Sequence, residues 1–201
     1  MSLFIVGSTS VVGAALHARL GRVRWKLGMV FGAAAMAGAF AGGRLAGVVP
    51  PKALLVTFAV LMVVTALAML RGRSREAPRP HPPALVRLLL LGTAVGTVSG
   101  LVGAGGGFLI VPTLTLFGGL PMLDAVGTSL FVIALQSFAG FAGHVSHVYL
   151  DGALTSLVTG AAVTGTLAGS FFGRNLSPQT LRRGFAWLVL TMGVLTLAKQ
   201  L

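Results

Sequence analysis

Hydrophobic positions along this chain are gathered into long blocks, and polar ones are confined to the gaps between them. Seven apolar segments can be drawn: Ser2 to Leu16, Leu27 to Val48, Ala53 to Leu70, Leu85 to Phe117, Ala125 to Gly143, Gly152 to Gly173 and Leu181 to Ala198. Six of them have roughly the length of one bilayer crossing, about 20 residues. None shows the period-two alternation of a half-buried strand, so the pattern predicts membrane helices. The stretch Arg71 to Pro83, RGRSREAPRPHPP, is the only linker, because its charges and prolines cannot sit in hydrocarbon.

The fourth segment departs from the others. From Gly92 to Ser129 the sequence reads GTAVGTVSGLVGAGGGFLIVPTLTLFGGLPMLDAVGTS, whose only charge is Asp124. Gly105, Gly106 and Gly107 are adjacent, and Pro112 follows. An uninterrupted membrane helix does not need three consecutive glycines at its centre. A broken or re-entrant helix does, because its free N–H and C=O groups must line a cavity or meet other protein.

Composition agrees with a membrane protein. Hydrophobic residues are 55% of the 201 and charged residues 9%, with a mean hydropathy of +0.94. There is room for one bundle of six or seven segments and for no separate soluble domain. The net charge of +12 is too localised for a nucleic-acid surface. Arg19, Arg22, Arg24 and Lys26 share one gap, and Arg71, Arg73, Arg75, Arg79 and Arg87 another. Basic flanks of apolar runs are the positive-inside pattern, and part of the excess is expected to meet anionic lipid. Scattered aromatics form no basic-aromatic face, so nucleic acid is not an expected partner. The chain has no cysteine, which excludes a disulfide framework and thiol chemistry. Met1-Ser2-Leu3-Phe4 has no basic stretch ahead of its apolar run, so no cleavable signal peptide is expected.

An internal repeat is visible. A constant offset of 127 places Ser2-Leu3-Phe4 on Ser129-Leu130-Phe131, Ser10 on Ser137, Gly13 on Gly140 and His17 on His144. It also places Gly38 and Gly42 on Gly165 and Gly169, Pro51 on Pro178, and Phe58-Ala59 on Phe185-Ala186. Apolar composition alone would not align serine, histidine and proline together. Residues 1–70 are thus expected to be a first repeat, shortened at its N-terminus, 71–87 a basic linker, and 88–201 a second repeat. The same register puts the counterpart of the glycine-broken segment ahead of Met1. Transporters are commonly built from such repeats, with the substrate between them.

Three features together resemble the sulfite exporter TauE/SafE family of membrane permeases. They are VSGLVGAGGGFLIVPTL at Val98 to Leu114, VGTSLFV at Val126 to Val132, and the spacing of Ser137, Gly140 and His144. The resemblance covers nearly the whole chain, with the first repeat's opening helix missing. It implies an all-α, polytopic bundle in a bacterial inner membrane that moves small anions of the sulfite or organosulfonate kind. It names no particular anion.

The residues suggest where such an anion would bind. Gly105, Gly106 and Gly107 can offer a nest of backbone N–H groups beside the positive end of a short helix starting near Phe108. The same glycines can instead serve close helix packing, as in the Gly96/Gly100 and Gly165/Gly169 pairs. Pro112 would keep a carbonyl unpaired or kink the limb. Thr128, Ser129, Ser2 as the counterpart of Ser129, and Ser137 with Gln136 add hydroxyl and amide groups; membrane hydroxyls also bond their own helix carbonyls. His17 and His144 can carry protons between pH 5 and 8, or can cap the interface ends of their spans, the favoured reading. His147 and Asp151 read as solvated, and His81 has no role.

Enzyme readings fail on the residues. Ser99 sits in GTVSG, without the glycine two positions before the serine that a nucleophile elbow requires. The glycine run lacks the Lys-Ser/Thr of a P-loop, and three acids with four histidines spread along the chain build no metal cluster. No cofactor is expected. Two alternatives stay open. The fourth segment either spans or re-enters, and the charge balance puts linker 71–87 in the cytoplasm in both cases. The chain is either a permease or a non-transporting remnant or scaffold, complete only with an N-terminal segment, a homodimer or another partner chain.

Overall fold

The structure is a computed structural model that describes residues 2–46, 48–71, 85–102, 107–144, 152–173 and 176–199. Gly105, Gly106, the segment from Gly72 to Ala84, His147 and Asp151 lie outside the described residues, as do the side chains of Ser2 and His144. Eight α-helices account for nearly all that is described: α1 (Ser2–Arg19), α2 (Trp25–Ala46), α3 (Pro51–Arg71), α4 (Leu85–Val102), α5 (Gly107–Pro112), α6 (Met122–His144), α7 (Gly152–Gly173) and α8 (Pro178–Ala198). A π-helical turn, Thr113–Phe117, continues α5. The fold is all-α and polytopic. Trp25–Leu45, Lys52–Arg71, Met122–Ala139 and Pro178–Ala198 are each long and apolar enough to cross a membrane. Leu3–Arg19, Leu85–Leu101 and Gly107–Phe117 are shorter apolar helices.

Local chemistry sets the helix ends. Pro51 and Pro178 open α3 and α8, where a missing N–H costs nothing. The Ser177 side chain caps α8 by accepting from the Thr180 N–H at 3.1 Å. Gly21 follows α1 with φ +68°, the left-handed conformation that ends helices, and its N–H reaches the Ala18 carbonyl at 2.9 Å. The repeat offset recurs in these bounds: Trp25–Ala46 carries onto Gly152–Gly173, and Pro51–Arg71 onto Pro178–Ala198.

Contacts between helices fix their directions. Along α1, Gly7 meets Ser137 and Phe138, Gly13 meets Leu130, and His17 meets Gly127, so α1 and α6 are antiparallel. Met62 lies on Gly193 while Met69 packs with Ala186, which makes α3 and α8 antiparallel too. By contrast α2 runs parallel to α4, with Phe31 on Gly92, Ala35 on Gly96 and Ala39 on Gly100. It also runs parallel to α6, with Gly28 on Thr128 and Gly32 on Val132.

These directions decide between the two topologies. Both α4 and α6 start at the end of the bundle where α2 starts. The chain leaving α4 must therefore turn back through α5 and the π turn before α6 begins, and the segment from Leu85 to Phe117 re-enters. Its returning limb is buried in a cluster of Phe31, Ala35, Ile110, Leu114, Ala125 and Val132. The pairs α1/α6 and α3/α8, which correspond by the offset of 127, are antiparallel. Re-entry also sorts the charges. Arg19, Arg22, Arg24, Lys26, Arg71, Arg87, Arg182 and Arg183 gather at the end where α2, α4, α6 and α8 start, and Arg44, Lys52 and Lys199 at the other.

Candidate functional site

The returning limb meets α6 near that helix's midpoint. A Cβ placed on Gly107 would lie 2.8 Å from the Cδ1 of Ile133, so α5 approaches α6 as closely as glycine permits. Ser129, Ile133 and Ser137 are spaced by four and form one row on α6. Gly107 thus sits between two hydroxyl-bearing positions, both buried. The Ser129 hydroxyl donates to the Val126 carbonyl at 2.8 Å, which is the local bond common to hydroxyls in membrane helices.

Pro112 is fully buried and shapes the limb after the break. It brings no N–H for the Phe108 carbonyl, and the ladder widens directly behind it. Gly118 N–H reaches the Thr113 carbonyl at 2.9 Å, five residues back, and Leu120 N–H reaches that of Leu114 at 3.1 Å. The Thr115 hydroxyl donates to the carbonyls of Val111 and Pro112, both at 3.0 Å. Single π turns of this kind concentrate at functional sites.

Thr128 has a different task. Its Oγ1 accepts the Arg24 backbone N–H at 3.1 Å, across 104 residues of sequence. Beside it, Arg24 Nε donates to Asp124 Oδ2 at 2.9 Å, with side chains 59% and 14% exposed. The α1–α2 loop is thereby docked on the first turns of α6, against Gly127. Replacing Thr128 with Val orphans the Arg24 N–H and is expected to cost about 1–3 kcal/mol. Replacing Asp124 with Asn breaks a half-exposed pair worth about 0–1 kcal/mol. Thermal melting in detergent checks the order: Asp124→Asn must be the milder variant.

Gly107 meets Ile133, with Ser129 and Ser137 one turn to either side on α6 and Pro112 five residues on in the limb; Ser137 also meets Gly7 of α1. The structure separates the histidines. His17 lies at the basic end, in the last turn of α1, and His144 ends α6 at the opposite end. His17 Nδ1 is buried without a hydrogen-bond partner among the described residues. A cavity of about 860 Å³ opens beside it, between Leu16, Arg22, Val126, Thr166 and Leu181. Sequence reasoning gave no site role to four buried hydroxyls, Ser10, Ser99, Thr113 and Thr155. Ser10 carried a signal, as the repeat counterpart of Ser137; the other three did not, since nothing local marks a hydroxyl as buried between helices.

A bundle of apolar helices with a re-entering limb defines a polytopic helical membrane protein. The family model for the sulfite exporter TauE/SafE matches residues 1–196, and the chain belongs to that family. A protein of Xylella fastidiosa strain 9a5c named "Probable membrane transporter protein" is 27% identical over 199 residues, spanning 96% of this chain and 76% of its own length. YdhB of Bacillus subtilis, carrying the same description, is 26% identical over 196 residues, which are 93% of this chain and 78% of that one. MJ0441 of Methanocaldococcus jannaschii, again so described, is 24% identical over 206 residues, covering 98% and 77%. No solved structure matches the chain. The protein is a membrane transporter by family.

Proposed function

We propose that this protein is a permease for small oxyanions of the sulfite or organosulfonate class, working by alternating access between inverted repeats. The observation that carries the reading is the meeting of Gly107 with Ile133, between Ser129 and Ser137 at mid-depth. The glycine run that leads into Gly107 can offer backbone N–H groups to an anion without a fixed positive charge that would trap it. Basic residues at one end raise the local anion concentration at that mouth. By the positive-inside rule this end, with linker 71–87, faces the cytoplasm of a bacterial inner membrane.

Sulfite efflux from proteoliposomes tests the reading: flux above empty vesicles supports it, and flux of sulfate or chloride at the same rate removes the substrate class. Replacing both His17 and His144 with Gln is expected to leave the rate and its pH profile unchanged, because the two sit at opposite ends and cannot share a proton. A flattened pH profile would restore the coupling role. A second reading, a membrane protein that requires a further segment or partner chain to transport, is favoured by the open face of α7.

A further inference from the structure

Thr9, Thr65, Thr97, Ser129, Thr166 and Thr196 each donate a hydroxyl hydrogen bond to a carbonyl three or four residues back, at 2.7–3.0 Å. Ser10 of α1 and Ser137 of α6 do not, and neither hydroxyl has another hydrogen-bond partner among the described residues. Both residues are nonetheless buried, at 4% and 5% exposure. Their oxygens are not among the atoms sealed without a partner, such as Thr155 Oγ1, so each has free volume to donate into. At Ser10 the usual acceptor is already occupied. The Val6 carbonyl, four residues back, receives the Thr9 hydroxyl at 3.0 Å besides the helical N–H of Ser10, which uses both of its lone pairs. A buried hydroxyl left without an acceptor is costly, and a bound acceptor removes that cost.

The two serines correspond by the offset of 127 and stand along one seam. A Cβ on Gly7 would lie 3.3 Å from the Cβ of Ser137, and one on Gly13 3.0 Å from Cδ1 of Leu130. Gly7, Ser10 and Gly13 are spaced by three, so Ser10 lies on the α1 face that covers α6, about 4.5 Å along the axis from the point opposite Ser137. Between those two contacts of antiparallel helices, Ser10 falls opposite Ala134. The offset demands the same, since it carries Gly7 onto Ala134 and Ser10 onto Ser137. Ile133, the residue that Gly107 meets, is next in the chain.

We infer that Ser10 is a second hydroxyl donor to the transported oxyanion, held between α1 and α6 by Ser10 and Ser137, one donor from each repeat. The assignment rests on the permease reading above and gives its site a residue from the first repeat. A sulfite or sulfonate group has several acceptor oxygens and takes a bond from each serine at once. Hydroxyl bonds to an ionised oxygen are short and about twice as strong as neutral ones. With one donor on each repeat, the hold lasts only while α1 and α6 keep this spacing, so movement of one repeat against the other loosens the anion.

Calorimetric titration of sulfite into the detergent-purified 201-residue protein, with proteoliposome flux alongside, tests the assignment. Ser10→Ala and Ser137→Ala are each expected to raise Kd about tenfold, the scale of a hydrogen bond to a charged group. Thr9→Ala, one residue away, is expected to leave Kd unchanged, because that hydroxyl is bonded within its own helix. Without anion, Ser10→Ala is expected to melt with the unaltered protein, since its hydroxyl leaves no protein partner behind; with sulfite it is expected to lose most of the upward shift that binding gives. A fall in the anion-free melting temperature with unchanged Kd would make Ser10 a packing residue and overturn the assignment. Wild-type affinity in Ser10→Ala overturns it too, while flux by the unaltered protein keeps the permease reading. The expected binding pattern without any flux keeps Ser10 as an anion ligand and removes the permease reading. No sulfite binding by the unaltered protein overturns the assignment.

Discussion

Replacing Gly96 with Leu will separate α4 from α2 and destroy the re-entrant limb. A Cβ at this position overlaps the Ala35 carbonyl, and those at Gly100 and Gly42 overlap the carbonyls of Ala39 and Thr97. Overpacking a core typically costs about 1–3 kcal/mol when side chains can give way. Here the obstacle is backbone on both sides, so the cost sits at or beyond the top of that range. That is a large share of a total stability of about 5–15 kcal/mol. Gly32→Leu makes a graded comparison, because a Cβ there meets side-chain methyls alone, of Val132 at 3.5 and 3.6 Å and of Leu135 at 3.9 Å. Melting of detergent-purified protein should rank Gly96→Leu far below Gly32→Leu; equal melting temperatures would mean that α2 and α4 are not held backbone to backbone.

Gly107→Leu will abolish anion flux while the protein still inserts and folds. The new side chain is driven into Ile133 and lifts the returning limb off α6, which moves the glycine turn away from Ser129 and Ser137. Gly107→Ala will have a milder effect, since the obstructing atoms, Cδ1 at 2.8 Å and Cγ1 at 2.9 Å, belong to the Ile133 side chain and not to backbone. Adding Ile133→Ala to Gly107→Leu returns volume at the contact and should recover a substantial part of the flux. Flux assays on the single and double variants decide the matter: no recovery with intact folding would show that the Gly107–Ile133 contact does not position the site.

Much of this architecture was legible from residue order. The apolar blocks gave the helices within a few residues, and three adjacent glycines followed by Pro112 marked the break between α4 and α5. Whether the broken segment spans or re-enters was only faintly legible, because the charge balance leaned towards re-entry on four residues alone, Arg174, Arg182, Arg183 and Lys199. Helix direction is written in contacts such as Ala35 with Gly96, far apart in sequence. The hydroxyls of α6 were found by type but not by task. Thr128 serves the backbone of Arg24, 104 residues away, and no local pattern announces a partner at that distance. The π turn after Pro112 was equally silent, since a proline kink and a widened turn begin with the same residue.

The backbone contact between α2 and α4 has a mechanical consequence. Glycine against carbonyl offers no side chain to change rotamer, so the two helices can only travel together as one solid piece. The seam between α3 and α8 is built differently, with Met62 and Met69 facing Val189 and Ala186. Thioether chains re-pack at little cost. Under the proposed alternating access, the seam between α3 and α8 is the more pliable one, while α2 and α4 move as a single lever.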